Sequence, residues 1–297
     1  MKKVYVVIVT YNGEKWIDQC FGRLRSGSYP VQTIVVDNGS TDATLSLLES
    51  HYPEVTLIRS RENLGFGQAN NIAIRQALQE GADYVFLLNQ DAWTESNTIG
   101  VLVEAMEQHP EYGIISPVHL NGSYNAMDTG FAKYFGEEHP DIVAKWPWGG
   151  APGKEIYPVG FVNAAAWMMS KACLEKVGLF HPVFFHYGED LNLAQRVLHY
   201  GFKIGICTAV TICHDRHDRK ATEAMFLKDY KVYGMVTLMD IRRKHLFAGY
   251  LKAWKDLGKP FLLAVLKLKW GTAWKVAGIS TALLSMYPVI KEARKEQ

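Results

Sequence analysis

Short apolar runs alternate with longer amphipathic stretches along the first hundred residues. Four of these runs have the length and β-branched content of buried strands, and they cover residues 4–9, 32–36, 55–59 and 84–88. The stretches between them have helical spacing and cover residues 13–24, 42–50 and 69–79. Because strands and helices alternate, we expect an α/β protein with a mostly parallel sheet and helices on both faces.

The pattern changes after this first part. Residues 113–158 are rich in Gly, Pro, Trp and Tyr, which predicts a set of long loops that serve a site. Regular elements then resume, with strand-like or helical spacing at residues 161–170, 190–200, 203–207 and 210–213. From residue 221 onward the apolar spacing is helical. We therefore expect an α/β domain over residues 1–220 and a C-terminal helical extension over residues 221–297.

The charge divides along the same line. Of the 297 residues, 48% are hydrophobic and 21% charged, proportions that exclude a disordered, collagenous or coiled-coil chain. The net charge of +2 is the sum of two unlike parts. Residues 1–240 carry 20 Lys and Arg against 27 Asp and Glu, a balance of −7, whereas residues 241–297 carry 12 against 3, a balance of +9.

Aromatic residues are interleaved with the lysines of the basic C-terminal part. This combination suits helices that lie on an anionic membrane surface. A helical bundle that packs on the body, or one that forms a homodimer, explains the same composition equally well. Nucleic acid is not expected as a partner, because no recognised nucleic-acid-binding module accompanies the charge.

Cysteine usage and the apolar segments indicate a cytoplasmic protein. The four cysteines form no CxxC pair, so neither a disulfide framework nor a zinc knuckle is indicated. No cleavable signal is predicted, since Met1-Lys2-Lys3 leads directly into the first strand. The best candidate for a membrane span, residues 276–290, has 15 uncharged residues. That length falls short of the roughly 18–20 apolar residues that a span requires.

Polar side chains follow three of the predicted strands. They are Thr10-Tyr11-Asn12, Asp37-Asn38 and Asn89-Gln90-Asp91. In an open parallel sheet the carboxyl ends of the strands meet at one edge, where ligands bind. Asp and Asn also follow strands because they form turns, so one such end means little. Three consecutive ends of this kind predict a shared binding crevice.

A glycine-rich segment over residues 63–71 follows the third strand. It is not a dinucleotide fingerprint, because GxGxxG belongs in the first βα turn and Asn70 stands where the third glycine should be. A GxxxxGK[ST] phosphate loop is also absent from the sequence. Gly65 and Gly67 are therefore expected to let the backbone approach a ligand closely.

Carboxylates and a histidine are candidates for the chemistry. Asp91 is typical of a weak Mg²⁺ or Mn²⁺ site completed by substrate phosphates, or it caps a helix over residues 94–107. Glu189 and Asp190 precede a helix among aromatic residues and provide a general base or, alternatively, an N-cap. His214 is a candidate for a single metal ligand, whereas His217 suits a surface loop.

Taken in order, these segments resemble the inverting family 2 glycosyltransferases of the GT-A fold, and most closely the bacterial rhamnosyltransferases that build surface polysaccharides. The resemblance covers roughly residues 3–220. It rests on Val-Val-Ile-Val-Thr-Tyr-Asn12, Val-Val-Asp-Asn-Gly-Ser-Thr-Asp42, Asn-Leu-Gly-Phe-Gly-Gln-Ala-Asn-Asn71, Leu-Leu-Asn-Gln-Asp91 and Phe-Phe-His-Tyr-Gly-Glu-Asp-Leu-Asn-Leu193.

The resemblance implies roles by position. The residues that match the nucleotide-sugar pocket and its closing loop are Thr10, Tyr11, Asn12, Asp37, Asn38, Asn63, Gly65, Asn70 and Asn89. Asp91 matches the retained acid of the metal-binding DxD motif, in which Asn89 replaces the first Asp. His214 matches the late histidine that completes the Mg²⁺ or Mn²⁺ site, and Asp190 matches the catalytic base. The residues that match the lining of the donor sugar and acceptor are Gly160, Asn163, Trp167 and Glu189.

The implied reaction is a single displacement at the anomeric carbon with inversion. The resemblance suggests dTDP-rhamnose as donor, with UDP-hexoses next, and a saccharide or lipid-linked acceptor in surface polysaccharide synthesis. The enzyme would then work as a peripheral protein on the cytoplasmic face of the inner membrane. The alternative is a non-catalytic nucleotide-binding or scaffold member of a polysaccharide assembly complex. A nucleotidyltransferase is disfavoured, because no basic diphosphate-gripping motif lies near the first strand.

Overall fold

The structure is a computed structural model that describes residues 1–146, 156–215 and 223–297. Its strands are β1 Val4–Thr10, β2 Gln32–Asp37, β3 Thr56–Arg59, β4 Tyr84–Leu88, β5 Ala92–Thr94, β6 Tyr112–Asn121, β7 Ile156–Pro158, β8 Ala166–Ser170 and β9 Lys203–His214. Its helices are α1 Glu14–Arg25, α2 Thr44–His51, α3 Phe66–Gln79, α4 Thr98–Gln108, α5 Thr129–Glu138, α6 Pro140–Lys145, α7 Lys171–Val177, α8 Glu189–His199, α9 Glu223–Met239, α10 Leu246–Leu266, α11 Trp270–Ser285 and α12 Tyr287–Ala293.

The described strands form one sheet in the order β3-β2-β1-β4-β8-β6-β9-β5, with β7 also paired to β9. The first four strands of this order are parallel, as the alternation predicts. Beyond β4 the sheet is mixed, since β8 runs antiparallel to both β4 and β6 while β6 and β9 are parallel. Alternate side chains of β1 enter two separate hydrophobic clusters, one with α3 and one with α1. Both faces of the sheet are therefore covered, which explains the continuous apolar runs.

Three expected boundaries are wrong. The stretch expected to be loops forms β6, α5, α6 and β7 in its described part, while residues 147–155 lie outside the described residues. The helix expected from residue 94 begins at Thr98, because the preceding residues form β5 and pair with β9. The two strand-like segments after residue 203 are the single strand β9. Pairing with distant strands decides the bounds of β5, β6, β7 and β9, and local spacing does not contain that information.

The C-terminal helices pack on the body through the loop before α8. Helices α9 to α12 share a hydrophobic cluster that also includes Phe184. A Cβ atom built on Gly188 would lie 2.8 Å from Val232 and 2.9 Å from Val236, so α9 presses directly on the residue that precedes α8. One face of the extension is thus a packed bundle, as one of the expected alternatives has it.

Membrane-span criteria give one result among the described helices. No single one of them has the length and apolar content to cross a bilayer, but α11 and α12, which meet at a 52° bend, satisfy the criteria as a pair.

A close backbone approach joins the first half of the sheet to α8. Gly65 has φ of +78°, and a Cβ atom at this position would overlap the carbonyl oxygen of Phe185. At Gly67 a Cβ atom would lie 2.9 Å from the Cβ atom of Phe180 and 3.5 Å from that of Glu189. The glycines of the segment at 63–71 therefore admit the chain before α8 rather than leaving open space.

We predict that Gly65→Ala destabilises the protein far more than Gly81→Ala. Gly81 has a similar φ of +86° but nothing within 4 Å of a built Cβ atom, so its substitution costs only the left-handed conformation. That cost is about 1 kcal/mol. At Gly65 the overlap with Phe185 adds to the cost of a backbone with φ of +78° and ψ of 171°, a region confined almost to glycine, so the total should be about 3–5 kcal/mol. Urea unfolding of both variants measures the difference, and equal losses would contradict the packing described here.

Candidate functional site

The ends of β1 and β2 are tied together by a buried carboxylate. Thr10 Oγ1 donates to Asp37 Oδ2 at 3.0 Å, and Asp37 Oδ1 accepts from the Ser40 amide at 2.9 Å. Asp37 also accepts from the Gly39 amide and the Ser40 hydroxyl, and its side chain is buried. Both predicted pocket residues, Thr10 and Asp37, therefore shape the loop after β2.

Asn38 connects this loop to the glycine-rich segment. Its Nδ2 donates to Asn63 Oδ1 at 3.0 Å and its Oδ1 accepts from the Leu64 amide at 2.8 Å. Asn63 Oδ1 in turn accepts from the Gly65 amide at 2.8 Å. The amide pair fixes the turn that precedes α3, so Asn38, Asn63 and Gly65 lie together at the sheet edge.

Tyr11 and Asn12 are exposed at the end of β1. Asn12 has φ of +47°, and its Oδ1 accepts from the Thr41 amide at 2.8 Å. Tyr11 is 46% exposed, so its ring is open to a planar ligand. Its backbone is held by Gln90, whose Oε1 accepts from the Tyr11 amide at 2.9 Å and whose Nε2 donates to the Tyr11 carbonyl at 3.1 Å.

Gln90 is a residue whose role the sequence reasoning missed. It stands between Asn89 and Asp91 and joins the ends of β1 and β4 through the two hydrogen bonds to Tyr11. Its side chain also lies where a Cβ atom on Gly13 would be, so the glycine admits the amide. The position of Gln90 inside the Asn-Gln-Asp sequence is the feature that could have indicated its role.

Asp91 and His214 meet because β5 pairs with β9. The register places Ala92 opposite His214, and His214 Nε2 lies 3.5 Å from Asp91 Oδ1. His214 is buried and Asp91 is partly exposed, with side-chain exposures of 4% and 24%. On the inner side, Asp128 Oδ2 lies 3.8 Å from His214 Nδ1, which has no hydrogen-bond partner among the described residues.

The fit of this pair to a divalent cation is partial. A carboxylate oxygen and an imidazole nitrogen are suitable donors for Mn²⁺ or Mg²⁺. The described residues contain no cluster of three or more His, Cys, Asp or Glu that could hold a metal ion. A cation bound by Asp91 and His214 would therefore need further ligands, which substrate phosphates supply in sites of this kind.

Asp128 was missed because it lies in the stretch expected to be loops. It is the N-cap of α5, where its Oδ1 accepts from the Phe131 amide at 2.8 Å. The same carboxylate faces the buried nitrogen of His214 and can orient the imidazole. Only the helical assignment of residues 129–138 would have indicated a cap at this position.

Glu189 and Asp190 begin α8 at the same edge of the sheet. Burial, followed by the neighbouring charge of Asp190, raises the pKa of Glu189 to about 8. Its Oε2 is buried without a hydrogen-bond partner among the described residues, which fits a protonated, neutral carboxyl at pH 7. Asp190 is half-buried, and its Oδ1 accepts from the Leu191 amide at 2.7 Å.

Two predicted contact residues lie in the interior instead. Trp167 is fully buried in β8 and stacks on Phe180, because β8 is a central strand of the sheet. Asn70 is buried in the first turns of α3 and donates to the Phe66 carbonyl at 2.9 Å. Both side chains are buried in the protein interior, so neither one faces an open binding site.

The remaining predicted residues lie on the chain that leads into β8. The Gly160 amide donates to Glu138 Oε1 at 2.8 Å. Asn163 is half-buried, and its Oδ1 has no partner among the described residues. The Asn89 amide donates to the Ala165 carbonyl at 2.9 Å, which ties this chain to the end of β4. His217 lies outside the described residues.

Known sequences resemble this chain. The sequence model of Glycosyl transferase family 2 matches residues 5–142. N-acetylglucosaminyl-diphospho-decaprenol L-rhamnosyltransferase of Mycobacterium tuberculosis is 26% identical over 256 residues, which cover 79% of this chain and 83% of that protein. The dTDP-rhamnosyl transferase RfbF of Shigella flexneri is 27% identical over 219 residues, covering 73% and 70% of the two chains.

Solved structures share the fold. Staphylococcus aureus TarS 1–349 in complex with UDP-GlcNAc has a TM-score of 0.61 at 16% identity, over 99% of this chain and 87% of that one. The mannosyltransferase PcManGT of Pyrobaculum calidifontis, in complex with GDP-Man and Mn²⁺, has a TM-score of 0.58 at 18% identity, over 96% and 86%. The chain therefore has the GT-A fold, and its residues 5–142 match glycosyl transferase family 2, a family of enzymes that transfer sugars.

Proposed function

We propose that this enzyme transfers a sugar with inversion from a nucleotide-diphosphate donor, with Asp190 as the catalytic base. One observation carries the proposal. The backbone approach of Gly65 to Phe185 and of Gly67 to Glu189 brings the start of α8 to the strand ends that hold the nucleotide loops. A half-buried carboxylate then lies at the edge of the sheet where ligands bind.

Four residues of the chain have separate roles in the proposed reaction. Asp190 accepts the proton of an acceptor hydroxyl as that oxygen bonds to the anomeric carbon. The bond from that carbon to the diphosphate breaks, and its electron pair leaves with the diphosphate. A divalent cation held by Asp91 and His214 would neutralise charge on the diphosphate. Because Glu189 is neutral, it adds no second negative charge beside Asp190.

The names of the relatives support particular choices of donor and acceptor. Two of them are named rhamnosyltransferases and one of those is named for dTDP, which supports dTDP-rhamnose as the first donor to test and UDP-hexoses as the next. The name of the mycobacterial relative contains a lipid-linked diphospho-sugar, which supports a lipid-linked or saccharide acceptor in surface polysaccharide synthesis. The Mn²⁺ in the mannosyltransferase complex supports Mn²⁺ or Mg²⁺ as the cation.

The two parts of the chain have different proposed tasks. Residues 1–220 form the catalytic domain in this proposal, and residues 221–297 form an extension that positions it. A lipid-linked acceptor would place the enzyme on the cytoplasmic face of the inner membrane. The basic, aromatic composition of the extension supports this location, and a homodimer through the same helices is the alternative.

We predict that Asp190→Asn lowers the transfer rate by about 10²–10⁴-fold, because the acceptor hydroxyl loses its proton acceptor. Release of nucleoside diphosphate from a panel of dTDP-, UDP- and GDP-sugars, with acceptor present, measures the rate. Asp141→Asn, which removes an exposed carboxylate of α6, is the matched control and should leave the rate unchanged. Thermal stabilisation by dTDP or UDP should persist in both variants. A wild-type rate for Asp190→Asn would refute its role, and inactivity of the wild type with every donor would favour a non-catalytic nucleotide-binding or scaffold role.

We also predict that Asp91→Asn and His214→Ala weaken Mn²⁺ binding by about tenfold or more in the presence of UDP or dTDP. Electron paramagnetic resonance of free Mn²⁺ measures this binding without any turnover. Asp128→Asn should have a smaller effect of the same sign, because it removes the group that orients His214. Asp141→Asn is again the control. Equal Mn²⁺ affinity in all four variants would exclude this cation site.

A further inference from the structure

Helices α10 and α11 form a hairpin with one packed and one open face. The packed face contributes Tyr250, Leu257, Val276 and Leu283 to the hydrophobic cluster of the extension. The Tyr250 hydroxyl donates to the Leu283 carbonyl at 3.0 Å across the hairpin. The apolar side chains of this face are buried within the chain, and this packing fixes the orientation of the open face.

The tip of the hairpin, residues 266–274, carries large apolar side chains into solvent. Leu266 is 70% exposed, Leu268 is 73% exposed and Trp270 is 57% exposed. Trp274, one turn further along α11, is 77% exposed. Four large apolar side chains so close together on a surface mark an interaction site rather than scattered exposure.

The backbone conformation at the tip indicates an interaction site independently of the exposure. Leu268 has φ of +55°, with its amide donating to the Val265 carbonyl at 2.9 Å and the Lys269 amide donating to the Ala264 carbonyl at 2.8 Å. This pair of hydrogen bonds ends a helix through a left-handed residue, a position that favours glycine. A leucine strains the backbone there, and its exposure gives the folded chain little burial in return. Its side chain is therefore expected to be buried by something outside the chain.

The positive charge around the tip indicates an anionic partner. Residues 257–291 contain five lysines and no Asp or Glu. Lys267 and Lys269 flank Leu268, and Lys275 follows Trp274. A second copy of the same face would bring like charges together, whereas anionic lipid headgroups attract them. Tryptophan favours the membrane–water interface, and lysine stems lie along apolar surface while the ammonium groups reach the headgroups.

We propose that the hairpin tip inserts its apolar side chains into the interfacial region of an anionic bilayer and holds the enzyme on that surface. The inference rests on the proposed function only for the reason why the enzyme would bind a membrane, since a lipid-linked acceptor would lie in the same bilayer. The insertion itself depends on the exposure, backbone and charge of the tip alone.

Flotation of the full chain with vesicles tests the proposal. The wild type should float with phosphatidylcholine vesicles that contain phosphatidylglycerol, and increasing salt should weaken the binding. The double variant Leu266→Ser/Leu268→Gly should bind about tenfold or more weakly, because it removes the inserted groups. Glycine suits the backbone at position 268, so this variant should fold. Lys267→Glu/Lys269→Glu should reduce binding as strongly.

The matched control is Leu284→Ser, which removes an exposed leucine at the other end of α11 and should leave flotation unchanged. A solvatochromic label on Leu268→Cys reports insertion directly, because the four native cysteines are buried. A blue shift on adding anionic vesicles is expected. Absence of flotation, equal flotation of the tip variants, or a concentration-dependent dimer that the tip variants abolish would each overturn the proposal.

Nucleoside diphosphate release with a water-soluble acceptor, measured without vesicles, separates this proposal from the proposed function. The tip variants should retain that activity, because the tip takes no part in the chemistry. Loss of flotation with unchanged release identifies the tip as a membrane contact. Flotation that depends on the tip, in a protein that transfers no sugar, would support insertion while contradicting the proposed function.

Discussion

The approach of the Gly65 backbone to the carbonyl of Phe185 is the constraint on which the rest of the site depends. Asn38 and Asn63 fix the turn before α3 from the sheet side, and the start of α8 packs against the same turn. The strand ends and Asp190 therefore belong to one rigid edge. Without a glycine at position 65 this turn and the chain before α8 could not meet at this distance.

Local pattern was sufficient for the chain up to the end of β4 and insufficient beyond it. The apolar runs of β1, β2 and β4 are buried on both faces, so their hydrophobicity alone identifies them. Asp128 and β5 acquire their places through pairing with distant residues of β9, which spacing along the chain does not encode. Trp167 was assigned to the sugar pocket by position in a motif, but a central strand buries it.

The division of charge along the sequence corresponds to a division of surfaces. The acidic body carries Asp91, Glu189 and Asp190 at the sheet edge, where burial and the neighbouring charge of Asp190 raise the pKa of Glu189. The basic extension packs one face against the loop before α8 and leaves its lysine-flanked tip exposed. Because Gly188 touches α9, the extension contacts the chain immediately before the proposed base. The extension would thus contact the membrane through its tip and the chain segment before the proposed catalytic carboxylate through α9.

The central claim is that a single carboxylate at the start of α8 drives one displacement at the anomeric carbon. The most direct measurement is the anomeric configuration of the product, determined by nuclear magnetic resonance after transfer from the donor that the wild type uses. A product whose anomeric configuration is opposite to that of the donor is expected, because one displacement inverts the carbon. A product with the donor's configuration would contradict the claim, since it requires a second displacement or a front-face reaction that these residues were not proposed to perform.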